Sequence, residues 1–118
     1  MIGRLNIGID VVDVNRFKKL EYHKTIQFYK KIFAKSEINY CIKYKNAAEH
    51  FAGKFAIKEA VKKSINQKIK MIDIITSHSN TKPKVRINSK SQYNFQISIS
   101  HEKNIAIGVV ISELCKKS

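Results

Sequence analysis

The sequence predicts an α+β fold: an N-terminal strand, helices that include one long central helix, and a C-terminal antiparallel sheet. Three observations carry that prediction. Residues 5–14 hold the β-branched side chains Ile7, Ile9, Val11 and Val12 in loose alternation. Residues 46–66 repeat apolar side chains at helical spacing, and β-rich runs follow from residue 70 onward. At 118 residues and 43% hydrophobic content, the chain reads as one domain over 1–118 that buries a core without disulfide staples.

In the first strand Asp10 stands between apolar neighbours, where Asp is depleted. It is either a strand-end turn or cap residue, or an acidic ligand on a rigid element. A short helix follows over residues 15–21, with Asp13 or Asn15 as its cap, Phe17 and Leu20 as its buried positions, and Arg16, Lys18 and Lys19 as a basic face. Residues 23–33 read as helix or turn, with Ile26, Tyr29, Ile32 and Phe33 at a rough helical period. Ser36, Glu37 and Ile38 start another helical piece that includes Tyr40 and Cys41.

Asn46 and Glu49 form an Asn-x-x-Glu capping-box pattern that opens the long helix. Its stripe is Ala48, Phe51, Ala52, Phe55 and Ala56, with Glu59 near the middle and Lys63 one turn further on. A carboxylate aimed at a core needs a strong partner. Desolvation costs several kcal/mol, whereas an exposed-type pair with Lys63 returns only about 0.3–0.5 kcal/mol. A metal ion, a cationic ligand group or a buried ion pair would meet that need. Gly53, about 1 kcal/mol worse than alanine inside a helix, predicts close packing of a backbone or ligand there. The β-rich runs cover residues 70–76, 84–87, 94–100 and 105–111, with Pro83 in a turn over 80–83. Phe95, Ile97 and Ile99 alternate with Gln96, Ser98 and Ser100, and residues 100–104 join the last two strands as a hairpin.

A net charge of +14 attracts polyanions: nucleic acid, anionic lipid, nucleotide phosphates or an acidic protein. Compositional bias is the plainer source, since only Arg4, Arg16 and Arg86 among the 23 cations are arginines. Tyr22, Phe28, Tyr29, Tyr44 and Tyr93 lie near lysines and suggest a nucleic-acid module. The chain has no arginine-rich stripe and no RNP-like, KH-like or zinc-finger pattern, and that reading leaves Asp10 and Glu59 unexplained. Cys41 and Cys115 lack metal-site spacing and fit reduced thiols in a cytoplasmic setting. Neither a signal peptide nor an apolar run of about 20 residues occurs, so no membrane association is expected.

Three segments carry a family resemblance. Gly8-Ile9-Asp10-Val11-Val12-Asp13 is followed by Arg16, Phe55-Ala56-Ile57-Lys58-Glu59-Ala60 by Lys63, and Ser98-Ile99-Ser100-His101 closes a strand. In order and spacing they resemble the holo-acyl-carrier-protein synthase family, the small bacterial-type 4′-phosphopantetheinyl transferases, and the match extends through Glu37-x-x-Tyr40-Cys41 and Asn80-x-Lys82-Pro83. The resemblance implies the 4′-phosphopantetheinyl transferase fold. It also implies Mg²⁺-dependent transfer of the 4′-phosphopantetheine arm of coenzyme A to a serine of apo acyl carrier protein in fatty acid biosynthesis, releasing adenosine 3′,5′-bisphosphate.

Residue by residue, the resemblance makes Asp10 and Glu59 the magnesium ligands, sets Lys63 at a phosphate, and sets His101 at the nucleotide or at a proton transfer. Those four form the implied catalytic set. Lys54, Lys58, Lys82 and Pro83 join Lys63 and His101 as implied coenzyme A contacts, and Arg16, Lys18 and Lys19 as the carrier-docking face. Acyl carrier proteins are acidic, which gives the positive charge a use in steering. Family members are typically homotrimers with sites between neighbours, and the resemblance implies no nucleic-acid role. The chain departs from the pattern at Asp13, where Glu is usual, at Lys54, where arginine is common, and at Thr81, where glycine often precedes Lys-Pro. Ile65-Asn66-Gln67-Lys68-Ile69 replaces a glycine-rich turn. These departures bear on nucleotide contacts and leave the metal pair intact.

Overall fold

Strand β1 (Leu5–Asp13) turns alternate side chains to opposite sides, as β-branched sequence in a pleated strand does. The computed structural model describes residues 4–90 and 92–115. Helix α1 (Asn15–Lys19) begins where the Asp13 carboxylate accepts the Asn15 N–H at 2.9 Å, and Phe17 anchors it in the core. A 3₁₀ turn (Tyr22–Lys24), α2 (Ile26–Ile32) and α3 (Lys35–Ile42) lead to the long helix α4 (Ala47–Ser64). A second 3₁₀ turn (Met71–Asp73) precedes β2 (Ile74–Ser79), β3 (Lys82–Ile87), β4 (Tyr93–His101) and β5 (Ile105–Leu114).

The α+β architecture is the one the sequence predicts, with local differences. Pro83 lies in β3 opposite His78, and the turn is the two-residue loop Asn80-Thr81, both at positive φ (50° and 67°), the pattern of a tight hairpin. No side chain caps the backbone of α4: Glu49 accepts a hydrogen bond from the Asn46 side-chain amide instead. Residues 71–73 coil into a 3₁₀ turn whose Met71 carbonyl accepts from a buried lysine described below.

The strands form two antiparallel sheets, β1-β5-β4 and β2-β3. Helix α4 crosses one face of the larger sheet so closely that glycines are required beneath it. A Cβ on Gly8 would lie 1.9 Å from the Ala60 carbonyl oxygen, and one on Gly108 would lie 2.8 Å from Ala56 C and Ile57 N. At Gly53 an added Cβ would lie 3.3 Å from the Ile99 side chain, not from a backbone, and the residue also lines the cleft described below. The core has an aromatic part, in which Phe17, Tyr29, Phe33, Phe51 and Phe55 join α1, α2 and the first half of α4. Its aliphatic part joins Ile57, Ala60 and Val61 to Ile74 of β2 and Val110 of β5.

Because elements cover α4 on several sides, it is buried all round from Phe51 to Lys58, wider than the predicted stripe. The other face of the large sheet is open and apolar: Ile7 is 67% exposed and Val11 59%, beside Ile9, Ile105 and Ile111. No helix among the described residues is long and apolar enough to cross a membrane.

Candidate active site

Asp10 lies on the α4 side of β1, with its side chain only 17% exposed. Lys63 reaches it from the last turn of α4, its ammonium donating to Asp10 Oδ1 at 3.1 Å and to the Ile9 carbonyl at 2.9 Å. The lysine expected beside Glu59 therefore pairs across the seam with β1. Glu59 itself is half-buried rather than aimed at the core. Among the described residues, no cation lies within ion-pair distance of its carboxylate and none donates a side-chain hydrogen bond to it.

The donor set fits a hard divalent cation. Two carboxylates stand on two rigid elements, one of them unpaired, and no cluster of three or more metal-ligating side chains occurs among the described residues. Magnesium commonly takes one or two carboxylates and leaves its other positions to water and phosphate oxygens.

A separate cleft of about 450 Å³ opens between α3, the first half of α4, the β2–β3 hairpin and the end of β4. Tyr40 stacks on His78 with centroids 4.5 Å apart, and Tyr44 stacks on His50 at 4.0 Å. His101 stands 6.3 Å from His50, and Pro83 and Thr81 close the hairpin side. The Tyr40 hydroxyl is pushed up to about 12, first by its hydrogen bond with Tyr44 and then by burial. Burial lowers His50 and His78, and neighbouring positive groups add to that: His101 for His50 and Lys54 for His78. Near neutral pH these rings are stacking surfaces more than cations. Sequence reasoning offered Tyr44 only as a nucleic-acid aromatic and assigned no ligand role to Tyr40, His50 or His78; the four converge only through tertiary packing.

Of the residues expected at coenzyme A, Lys54, Pro83 and His101 line this cleft, whereas Lys82 borders a neighbouring groove between β3 and β4. Lys63 remains at the β1 seam with Asp10. Lys58 is corrected: it is fully buried. Its ammonium donates to Glu37 Oε1 at 2.7 Å, to the Met71 carbonyl at 3.0 Å and to the Ile74 carbonyl, so all three N–H groups are committed. Burial holds Lys58 below the ordinary lysine range and Glu37 opposes the shift. The buried ion pair that the sequence allowed for Glu59 thus occurs one residue earlier, between α4 and α3.

Arg16, Lys18 and Lys19 are exposed on α1, and the Arg16 guanidinium sits 4.9 Å over the Phe55 ring. The aromatics that suggested nucleic-acid stacking form no exposed platform: Tyr29 is core, Tyr22 and Phe28 pack against it, Tyr44 belongs to the cleft, and Tyr93 packs on the aliphatic core.

With these elements and side chains in place, residues 6–110 match the model of the 4′-phosphopantetheinyl transferase superfamily. The chain belongs to that superfamily, among its holo-[acyl-carrier-protein] synthases, and so to a class of phosphopantetheine-transferring enzymes. It is 37% identical over 109 residues to the holo-[acyl-carrier-protein] synthase of Thermodesulfovibrio yellowstonii, covering 89% of this chain and 95% of that one. It is 39% identical over 116 residues to the Ehrlichia chaffeensis synthase, covering 91% and 94%. Among solved structures it superposes on the Helicobacter pylori synthase in complex with coenzyme A with a TM-score of 0.77 at 31% identity, covering 91% and 99%. The Bacillus anthracis synthase in complex with coenzyme A (3′,5′-ADP) gives 0.75 at 30%, covering 92% and 95%.

Replacing Lys58 tests its structural assignment. Lys58→Met strands the Glu37 carboxylate in the core and should cost about 3–5 kcal/mol of stability in urea unfolding. Unchanged stability with weakened coenzyme A binding would return Lys58 to the ligand.

Proposed function

We propose that the protein transfers 4′-phosphopantetheine from coenzyme A to a serine of apo acyl carrier protein, yielding holo carrier and adenosine 3′,5′-bisphosphate, in cytoplasmic fatty acid biosynthesis. The observation that carries this reading is the Asp10–Lys63 ion pair set one helical turn from an unpaired Glu59, in a chain of this superfamily. The names of its relatives and the coenzyme A held by two similar structures support the same substrates.

In the reaction a bond forms between the serine oxygen and the pantetheine-side phosphorus. The bond from that phosphorus to the bridging oxygen breaks, and the serine proton is lost. Asp10 and Glu59 would hold Mg²⁺, which when bound neutralises charge on the pyrophosphate. Lys63 supplies an ammonium beside Asp10, and its hold on Asp10 keeps that carboxylate turned toward α4. His101, Lys54 and Pro83 would receive the nucleotide end in the cleft, with His101 also available as a proton acceptor. Arg16, its guanidinium 4.9 Å over the Phe55 ring, offers a planar donor group to an acidic carrier, and Lys18 and Lys19 add charge.

The carboxylate pair and the cleft are separate on one chain, since none of Asp10, Glu59 and Lys63 lines the cleft. Together with the open apolar face of β1 and β5, this separation supports a homotrimer in which each site is completed across a subunit boundary.

Intact-mass spectrometry of apo acyl carrier protein, incubated with the protein, coenzyme A and Mg²⁺, should show a gain of roughly 340 Da that chelator prevents. Absence of that gain with a competent carrier refutes the reading. In the same assay Glu59→Gln should lose transfer by a factor of about 100 or more while remaining folded, because it removes ligand charge at constant volume. Arg16→Ala should raise KM for the carrier several-fold and leave KM for coenzyme A alone; equal rises in both would remove Arg16 from the docking face. Sedimentation equilibrium should return the mass of three chains, and an active monomer would contradict the shared site.

A further inference from the structure

Lys54 is 3% exposed, yet it lines the cleft. It donates one hydrogen bond, to Thr76 Oγ1 at 2.9 Å, and stands 4.7 Å over the Tyr40 ring. Its other two N–H groups have no hydrogen-bond acceptor among the described residues. Lys58, one turn away on the same helix, has all three satisfied. The asymmetry begins at Glu37. One of its oxygens accepts from the Ala34 N–H and from Lys58, and the other accepts from both the backbone N–H and the hydroxyl of Thr76.

A hydroxyl has a single proton, and that of Thr76 is given to Glu37. Its lone pair is therefore turned to Lys54. Two buried ammoniums against one buried carboxylate leave one positive charge uncompensated, and Asp73 attracts at the Lys58 end only. The excess charge thus sits on Lys54, which lines the cleft and has two N–H groups without an acceptor among the described residues.

We infer that Glu37, acting through the Thr76 hydroxyl, is a positioning residue that aims the Lys54 ammonium into the cleft to receive a phosphate of coenzyme A. The inference rests on the transferase reading above and assigns work to three residues on α3, α4 and β2. Burial lowers the pKa of Lys54, and Cys41 and Glu37 oppose the shift, so an arriving phosphate favours the charged form further. Lysine lacks a guanidinium's rigid fork, which is why a point charge at this position needs an external acceptor to fix its direction.

The test is a double-mutant cycle on Thr76 and Lys54, with coenzyme A titrated calorimetrically into each variant in Mg²⁺ and steady-state kinetics run beside it. Thr76→Val removes the hydroxyl at constant shape and should raise Kd and KM for coenzyme A about tenfold, with KM for the carrier unchanged. Thr76→Ser should restore wild-type affinity. In a Lys54→Met background the Thr76→Val change should have no further effect on Kd. Thr76→Ala, which adds no methyl beside Lys54, is run in parallel in case the valine variant does not fold, and melting curves report the structural share of each change. Wild-type coenzyme A affinity in folded Thr76→Val and Thr76→Ala, or equal losses with and without Lys54, overturns the inference alone. Failure of the wild-type protein to bind coenzyme A overturns the transferase reading and this inference with it.

Discussion

The contact on which the structure depends is the backbone-to-backbone packing of α4 on β1 and β5. At Gly8 and Gly108 the sheet presents no side chain, and the helix descends until its own carbonyl and amide atoms occupy the space a methyl would need. The opposing atoms are main chain, so no rotamer change could relieve an added group; α4 would have to lift. Several placements follow from this one approach. Asp10, two residues from Gly8 and opposite Gly108 in the ladder, comes within reach of Lys63. Glu59 stands one turn before Lys63 on the same helix, and the first half of the helix carries Phe51 and Phe55 into the aromatic core and Lys54 and Lys58 into a polar one.

Burying two lysines one turn apart is difficult to explain by stability. A buried ion pair is often no more stabilising than apolar side chains of similar volume, although breaking it is costly. Lys58 satisfies the structural demand fully, tying α4 to α3 through Glu37, to the Met71–Asp73 turn through the Met71 carbonyl and to β2 through the Ile74 carbonyl. That turn coils where a strand was expected because a carbonyl from it must meet the ammonium. Lys54 satisfies the demand only in part and opens on a cleft walled by stacked tyrosines and histidines. Unequal satisfaction of like residues in one environment is where a fold and a site separate.

Much of the fold was legible because it rests on local rules. Alternation marked β1 and β4, and the change of period after residue 65 separated helices from strands. Helical periodicity misled at Glu59, since a stripe assumes one covered face and α4 is covered on several sides. The buried ion pair was foreseen as a category and misassigned, because Glu37 and Lys58 are 21 positions apart and meet through loop geometry that spacing does not encode. A signal was present nonetheless: Lys54 and Lys58 at i, i+4 within an otherwise apolar run require a buried anion, and Glu37 is the acid of α3. Strand pattern and helical periodicity singled out Asp10, Glu59 and Lys63, whereas their magnesium and phosphate roles came from resemblance, and the Tyr40–His78 and Tyr44–His50 stacks join elements no local pattern connects.

The two-residue period of a strand ties the outer face of the sheet to the carboxylate on its inner face. In β1, Gly8, Asp10 and Val12 face α4, and Ile7, Ile9 and Val11 face away from it. Adjacent residues of one strand therefore serve opposite sides, and whatever covers Ile9 and Val11 stands directly behind Asp10. Pairing in β1 and β5 reinforces the arrangement, since Ile7 lies opposite Ile111, Ile9 opposite Val109 and Val11 opposite Ile107, making one apolar band two strands wide. A register shift of one residue would expose Asp10 and drive Ile9 against the helix, losing the band and the carboxylate together. The same register that holds Gly8 under Ala60 thus fixes both the inward carboxylate and the outward surface, and neither can be altered without the other.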